Sequence, residues 1–255
     1  MESGGSSTRI GLHEYQITHE FVERMLADLQ AVLFDLDGTL LDRRRSFEYF
    51  IRDQWKRFFS STQTVDLEPY VETLIELDRD GYTPRKELFT GMAAQFGLPA
   101  HLAERLLMDF RAGFPRACLL FPDAIQTLSS LRAIGLKLGL ITNGSVEMQS
   151  SKLQCLALAS VFDAVLISDA IGCRKPDIQI FRRALEQLGV KPGEAAFVGD
   201  NPEIDVAGAR AAGMRAIWRR DRNHSGTVEA DAVIEELAEL LALLGLPDSG
   251  KPNAG

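Results

Sequence analysis

The sequence predicts an α/β protein, a parallel sheet with helices on both faces, interrupted by an all-helical insertion. Three observations predict it. Across residues 123–244 short apolar runs alternate with helical patterns, as expected of parallel strands joined by crossover helices. An earlier run, Val32-Leu33-Phe34, is continuously apolar rather than alternating, as in a strand covered on both faces. Between the two lie the 80 residues 42–121, where large apolar side chains recur at helical spacing with almost no strand signal.

Each element follows from its local pattern. Residues 1–8 are rich in Gly and Ser and lack a basic region followed by an apolar stretch, so residues 1–12 read as a disordered tail rather than a secretory leader. Residues 13–29 read as a helix leading into the first strand. The insertion contains four amphipathic segments: Phe47, Phe50, Ile51, Trp55, Phe58 and Phe59; then Val71, Leu74, Ile75 and Leu77; then Leu88, Met92 and Phe96; then Leu102, Leu106, Leu107 and Phe110. Such stripes are better explained as a small helical core than as a ligand surface.

Beyond the insertion the sequence predicts helix 125–134, with Asp123 after Pro122 as its cap, strand 137–142, helix 146–156 and strand 164–168. Helix 178–188, strand 195–199, helix 203–212 and strand 214–218 follow, and a last short run, 231–234, leads into helix 235–244. Residues 247–255 are rich in turn formers and read as a second disordered tail. The expected division is therefore a core of residues 13–41 and 123–246 with a helical domain, 42–122, inserted after the first strand. An insertion there springs from the carboxyl edge of the sheet and can close over it to exclude water.

Composition narrows the function classes. A formal charge of −8 disfavours non-specific nucleic-acid binding, and no apolar run approaches the roughly 20 residues needed to cross a bilayer. The three cysteines, Cys118, Cys155 and Cys173, are scattered and odd in number, which argues against a disulfide framework or zinc site and for a reducing, cytoplasmic setting. Oligomeric state is not readable from these features.

The candidate chemistry sits where strands end. Asp35 and Asp37 follow Phe34 directly, and residues two apart in an extended chain point the same way. Ligands of parallel sheets bind beyond the carboxyl ends of the strands, where both carboxylates belong. A solvated Asp-Gly turn is the ordinary alternative. The second strand ends in Thr142-Asn143-Gly144-Ser145, a hydroxyl and backbone amides suited to a phosphate oxyanion; read alone, Asn143 or Ser145 is better explained as a helix cap. Lys175 precedes Pro176 and is held in a restricted backbone, although a solvated loop lysine reads the same way in isolation. Asp200 ends the strand 195–199, and Asp205 lies near the start of the next helix, where its charge also suits the helix dipole. Four carboxylates at one edge repel one another strongly without a divalent cation, and an oxygen-only donor set favours magnesium.

The motifs together closely resemble the haloacid dehalogenase-like hydrolase superfamily: FDLDGTL at Phe34 to Leu40, LITNGS at Leu140 to Ser145, CRKPD around Lys175, and VGDNPEID at Val198 to Asp205. The resemblance implies a Rossmann-like core with a helical cap and makes Asp35 the nucleophile that forms an aspartyl-phosphate. Asp37 is then the acid/base, and Thr142, Asn143 and Lys175 hold the phosphoryl group. Asp200 is the main ligand to magnesium beside the Asp35 carboxylate and the Asp37 carbonyl, and Asp205 completes or supports that shell. Dehalogenating members lack an acid at the second position, so Asp37 favours a phosphatase acting on a small phosphorylated metabolite. A phosphomutase carries the same four motifs and stays open. A phosphonate-cleaving member would want a cap lysine, and Lys56 and Lys86 lie in charged helical stretches. A phospho-signalling receiver is much shorter and has no insertion. Arg43, Arg44 and Arg45, with Arg85 and Lys86, are candidates to meet an anionic leaving group, and Cys173 beside two cations reads best as a small loop residue.

Overall fold

The computed structural model describes residues 28–62, 64–221 and 228–246. Six parallel strands form one sheet in the order β3-β2-β1-β4-β5-β6: β1 (Ala31–Phe34), β2 (Lys137–Thr142), β3 (Ala164–Ile167), β4 (Ala195–Gly199), β5 (Arg215–Arg219) and β6 (Ala232–Ile234). β1 lies inside the sheet, paired with β2 and β4, and all four of its residues are buried. Phe34 is in register with Leu140 and Val198, so Asp35, Thr142 and Asp200 emerge at nearly one level of the carboxyl edge.

The faces separate by the two-residue period of the strands. Val32 and Phe34 join Leu138, Leu140 and Val198 in a layer with α5 (Ala124–Ala133), α6 (Val146–Cys155) and α10 (Glu239–Leu243). Ala31 and Leu33 join Phe197 in the opposite layer, with α8 (Ile178–Leu188) and α9 (Ala207–Ala211). The short α7 (Ser168–Ile171) follows β3.

The insertion is four helices, α1 (Arg43–Phe58), α2 (Leu67–Asp78), α3 (Arg85–Gln95) and α4 (Ala100–Ala117). Asp42 starts α1 by accepting from the Arg45 N–H at 3.0 Å. Phe50 meets Phe110 edge-on at 5.4 Å, and Phe110 stacks on Phe114 at 4.7 Å, contacts worth about 0.5–1.5 kcal/mol each beyond area burial. The aromatic stripes are therefore core. The buried Gln54 ties the helices together, accepting from Tyr70 at 2.8 Å and donating to the Leu106 carbonyl at 2.9 Å.

Insertion and sheet meet at two adjacent chain crossings. Leu41 bridges Leu120 in antiparallel fashion, with Asp42 N–H donating to Leu119 at 2.9 Å and Phe121 N–H to Leu40 at 3.0 Å. The two crossings thus run side by side as a short two-strand link.

Several expectations shift. The expected helix 203–212 divides into a π-helical turn, Pro202–Val206, and α9, because Asn201 caps the turn by accepting from Glu203 and Ile204. The last helix begins four residues late, since the Glu239 carboxylate accepts from the N–H groups of Glu235 and Glu236 and holds them in a loop. Asp123 does not cap α5 with its side chain, which instead accepts from Ala238 N–H at 2.8 Å and ties the C-terminal segment to the core. Both expected tails and nearly all of helix 13–29 lie outside the described residues. Among the described residues no helix is long and apolar enough to cross a membrane.

Candidate active site

The site begins with β1. Asp35 continues the strand, its N–H donating to the Val198 carbonyl at 2.9 Å, and the residue is 6% exposed. The chain then turns sharply, Leu36 accepting from Leu40 at 3.1 Å and from Leu41 at 2.8 Å. Gly38 is required there. Its φ is +90°, and a Cβ would stand 2.2 Å from a carboxylate oxygen of Asp200, so only glycine lets this turn and β4 approach. Arg219 pins the same turn by donating to the Gly38 carbonyl at 2.9 Å while its guanidinium sits 3.6 Å from the centroid of Phe121.

Lys175 lies at the centre, fully buried. Its Nζ is 2.5 Å from Asp35 Oδ1 and 2.7 Å from Asp205 Oδ1, and 5.3 Å from the Phe197 ring centroid. Its position is fixed by Asn143, whose side chain donates to the Lys175 carbonyl at 3.0 Å and accepts from its N–H at 2.9 Å. The side chain of Asn143 thus couples the end of β2 to the loop that precedes α8. The helix cap is Ser145, which accepts from Met148 N–H.

Asp35, Asp200 and Asp205 each present a carboxylate oxygen within 4.8 Å of the others. The set is oxygen-only and holds three carboxylates against one ammonium, and among the described residues Asp200 has no cation within ion-pair distance. Burial, then the neighbouring Asp205 and Asp37 charges, push Asp35 up to about 7 against the opposing pull of Lys175. Burial with Asp35 and Asp205 likewise raises Asp200 well above the carboxylate range. Burial opposes the charge on Lys175, but Asp205 and Asp35 outweigh it and raise its pKa. Three close carboxylate oxygens are a donor set that fits a hard divalent cation, which Asp35, Asp200 and Asp205 would hold.

The Asp37 carboxylate stands apart from this trio. It accepts from Lys152 Nζ at 2.7 and 2.8 Å and from Gln149 Nε2 at 2.9 Å. Burial works against its charge, but Lys152 and Gln149 prevail and hold its pKa below the usual value. Gln149 also donates to Thr142 Oγ1 at 2.5 Å and to the Asn143 carbonyl at 3.3 Å. Sequence reasoning missed Gln149 and Lys152. The available signal was their three-residue spacing beside Leu153 on an amphipathic helix, two polar side chains placed where the core should be.

Of the basic candidates, Arg44 and Arg45 are exposed, while Arg43 and Arg85 converge on the buried Asp78. Lys56 and Lys86 are exposed. Tyr82, in the turn after α2, carries the insertion onto the sheet edge, its hydroxyl accepting from the Asn201 side-chain amide.

A sequence model of the haloacid dehalogenase-like hydrolases matches residues 29–213. The chain is 30% identical to a glyceraldehyde 3-phosphate phosphatase of Pyrococcus furiosus over 85% of this chain and 93% of that one. It is 52% identical to a phosphoserine phosphatase of Thermus thermophilus over 99 residues, 39% of this chain and 40% of that relative's length. Among solved structures, an HAD phosphatase from Thermococcus onnurineus superposes with a TM-score of 0.60 at 33% identity, covering 85% of this chain and 98% of that one. With the family's motifs gathered at one sheet edge and the family match spanning most of the chain, this protein belongs to the haloacid dehalogenase-like hydrolases.

Proposed function

We propose that this protein is a magnesium-dependent phosphatase that hydrolyses a small-molecule phosphate monoester through an aspartyl-phosphate. The observation that carries the reading is the division of labour among the carboxylates. Asp35 lies with Asp200, Asp205 and Lys175, while Asp37, two residues on, is held outside that group. The names of the two curated relatives, both phosphatases of small phosphate esters, agree with it.

In this reading an Asp35 oxygen attacks phosphorus, the bond from phosphorus to the ester oxygen breaks, and Asp37, which must enter this step protonated, passes that proton to the departing alkoxide. Water then attacks the same phosphorus, Asp37 takes its proton, and the phosphorus–Asp35 bond breaks to release phosphate. Thr142 and Lys175 hold the non-bridging oxygens through a hydroxyl and a fixed ammonium, with Asn143 keeping the lysine in place. Asp35, Asp200 and the Asp37 carbonyl, with Asp205 in support, would hold magnesium, which would supply charge neutralisation for the phosphoryl group. Asp37 favours this chemistry over dehalogenation, because halide leaves without a proton whereas an alkoxide does not.

Phosphate release from a panel of small phosphate esters, with and without magnesium, tests the reading. The expected result is magnesium-dependent turnover that falls at least about 10³-fold in Asp35→Asn. Turnover surviving that substitution would refute the nucleophile, and no release from any ester would refute the phosphatase.

A further inference from the structure

A divalent cation at Asp35, Asp200 and Asp205 attracts every carboxylate within reach, and Asp37 is two residues from Asp35 on the same edge. An acid/base carboxylate captured by the cation could no longer carry a proton to the leaving oxygen. The structure contains a device that prevents capture. Lys152 is 5% exposed, and its ammonium engages both Asp37 oxygens from the inner face of α6; among the described residues Asp37 is its ion-pair partner. Gln149, 2% exposed and one turn earlier, adds a third bond to the same carboxylate. Its amide is itself restrained by Thr142 and Asn143, so it cannot follow Asp37 elsewhere. The Lys152 ammonium also lies 5.6 Å from the centroid of Phe114, near the end of α4 where the insertion meets the core. Burying a lysine is costly unless it is paired.

Resting on the phosphatase reading, we propose that Lys152, assisted by Gln149, is the positioning residue for Asp37: it holds the acid/base carboxylate away from the cation and towards the leaving oxygen. Gln149 extends the same restraint to Thr142, so the proton donor and a phosphoryl-binding hydroxyl keep a fixed relation.

The test compares kcat/KM of the magnesium-loaded full chain for 4-nitrophenyl phosphate, whose leaving group needs no proton, and for a primary alkyl phosphate, whose leaving group does. In Lys152→Met the alkyl ester should lose about 10²-fold and the aryl ester less than about 5-fold, a split that a general loss of structure would not produce. Lys152→Arg, which can still donate to both oxygens, should recover most of the alkyl activity. Adding Lys152→Met to Asp37→Asn should cost nothing further, since the lysine acts through that carboxylate. Calorimetric titration with magnesium gives a readout independent of turnover: Lys152→Met should bind the ion more tightly than the native chain, because Asp37 is then free to join it. If Lys152→Met does not fold, Lys152→Gln takes its place with the same expected ester split. Equal losses for both esters, an additional loss in the Asp37→Asn background, or unchanged magnesium affinity would each overturn the proposal. A native chain that turns over neither ester overturns the phosphatase reading instead, and the magnesium titration still decides the role of Lys152.

Discussion

The sheet edge and the stem of the insertion each bury carboxylates against cations, in opposite proportions. At the edge, Asp35, Asp200 and Asp205 surround one ammonium, Lys175. In the insertion, Arg43 and Arg85 surround one carboxylate, Asp78: Arg43 makes two bonds of 2.6 and 3.0 Å, and Arg85 donates both to Asp78 and, at 3.2 Å, to the Gly81 carbonyl. The second cluster is complete in itself and has a structural task. Arg79, Asp80 and Gly81 follow Asp78 with φ of 48°, 52° and 98°, three consecutive left-handed residues that need outside support, and Tyr82 leaves them to reach Asn201 at the sheet edge. The first cluster is negative in surplus. The contrast separates a buried ion cluster that holds a loop from one whose donors fit a cation.

The largest effect that would sharpen this contrast is expected in the insertion. Asp78→Ala strands two guanidiniums that are at most one-quarter exposed and should lower stability by about 3–5 kcal/mol in urea unfolding. A loss below about 1 kcal/mol would show that the loop does not depend on this cluster.

The sheet edge should respond to pH and metal instead. Asp35 and Asp200 have pKa values raised by the fold, so the folded chain keeps protons that the unfolded chain has released. The Asp35 contribution is fully present below about pH 4 and is lost as pH rises through about 7, and Asp200 acts in the same direction. In a chelator the unfolding free energy should therefore fall across that window, by on the order of 4 kcal/mol, and saturating magnesium should flatten the profile. A profile with the same slope in both conditions would break the assignment of the trio as the cation site.

Smallest of the three, Asp200→Asn removes one of the mutually repelling charges and should raise the metal-free stability by about 1 kcal/mol, while abolishing the rise in Tm expected on adding magnesium to the native chain. A magnesium-dependent rise retained in this variant would move the main ligand elsewhere.

Much of the molecule was legible in the residues. The runs Val32-Leu33-Phe34 and Ala195 to Gly199 are strands because continuous runs without charged or polar side chains suit a sheet covered on both faces, and both end directly in the carboxylates of the site. Helical periodicity likewise exposed the four cap helices. Boundaries set by side-chain hydrogen bonds were less visible: Asp123 has the sequence of an N-cap, yet its carboxylate serves Ala238, 115 residues away. Arg43 could not be told from Arg44 and Arg45 until α1 turned one of the three towards Asp78 and left the others in solvent.

The sequence by itself determined the kind of protein and the candidate residues of the site, because strands and helices follow from local apolar pattern and three of the four motifs stand directly at the end of a strand. Only the tertiary structure decided how the charges are shared. Lys175 belongs to Asp35 and Asp205, and Lys152 belongs to Asp37, in pairs separated by 140, 30 and 115 positions. Coulombic interaction and hydrogen bonding depend on distance and desolvation in the folded chain, and neither quantity is written in the spacing of residues along it.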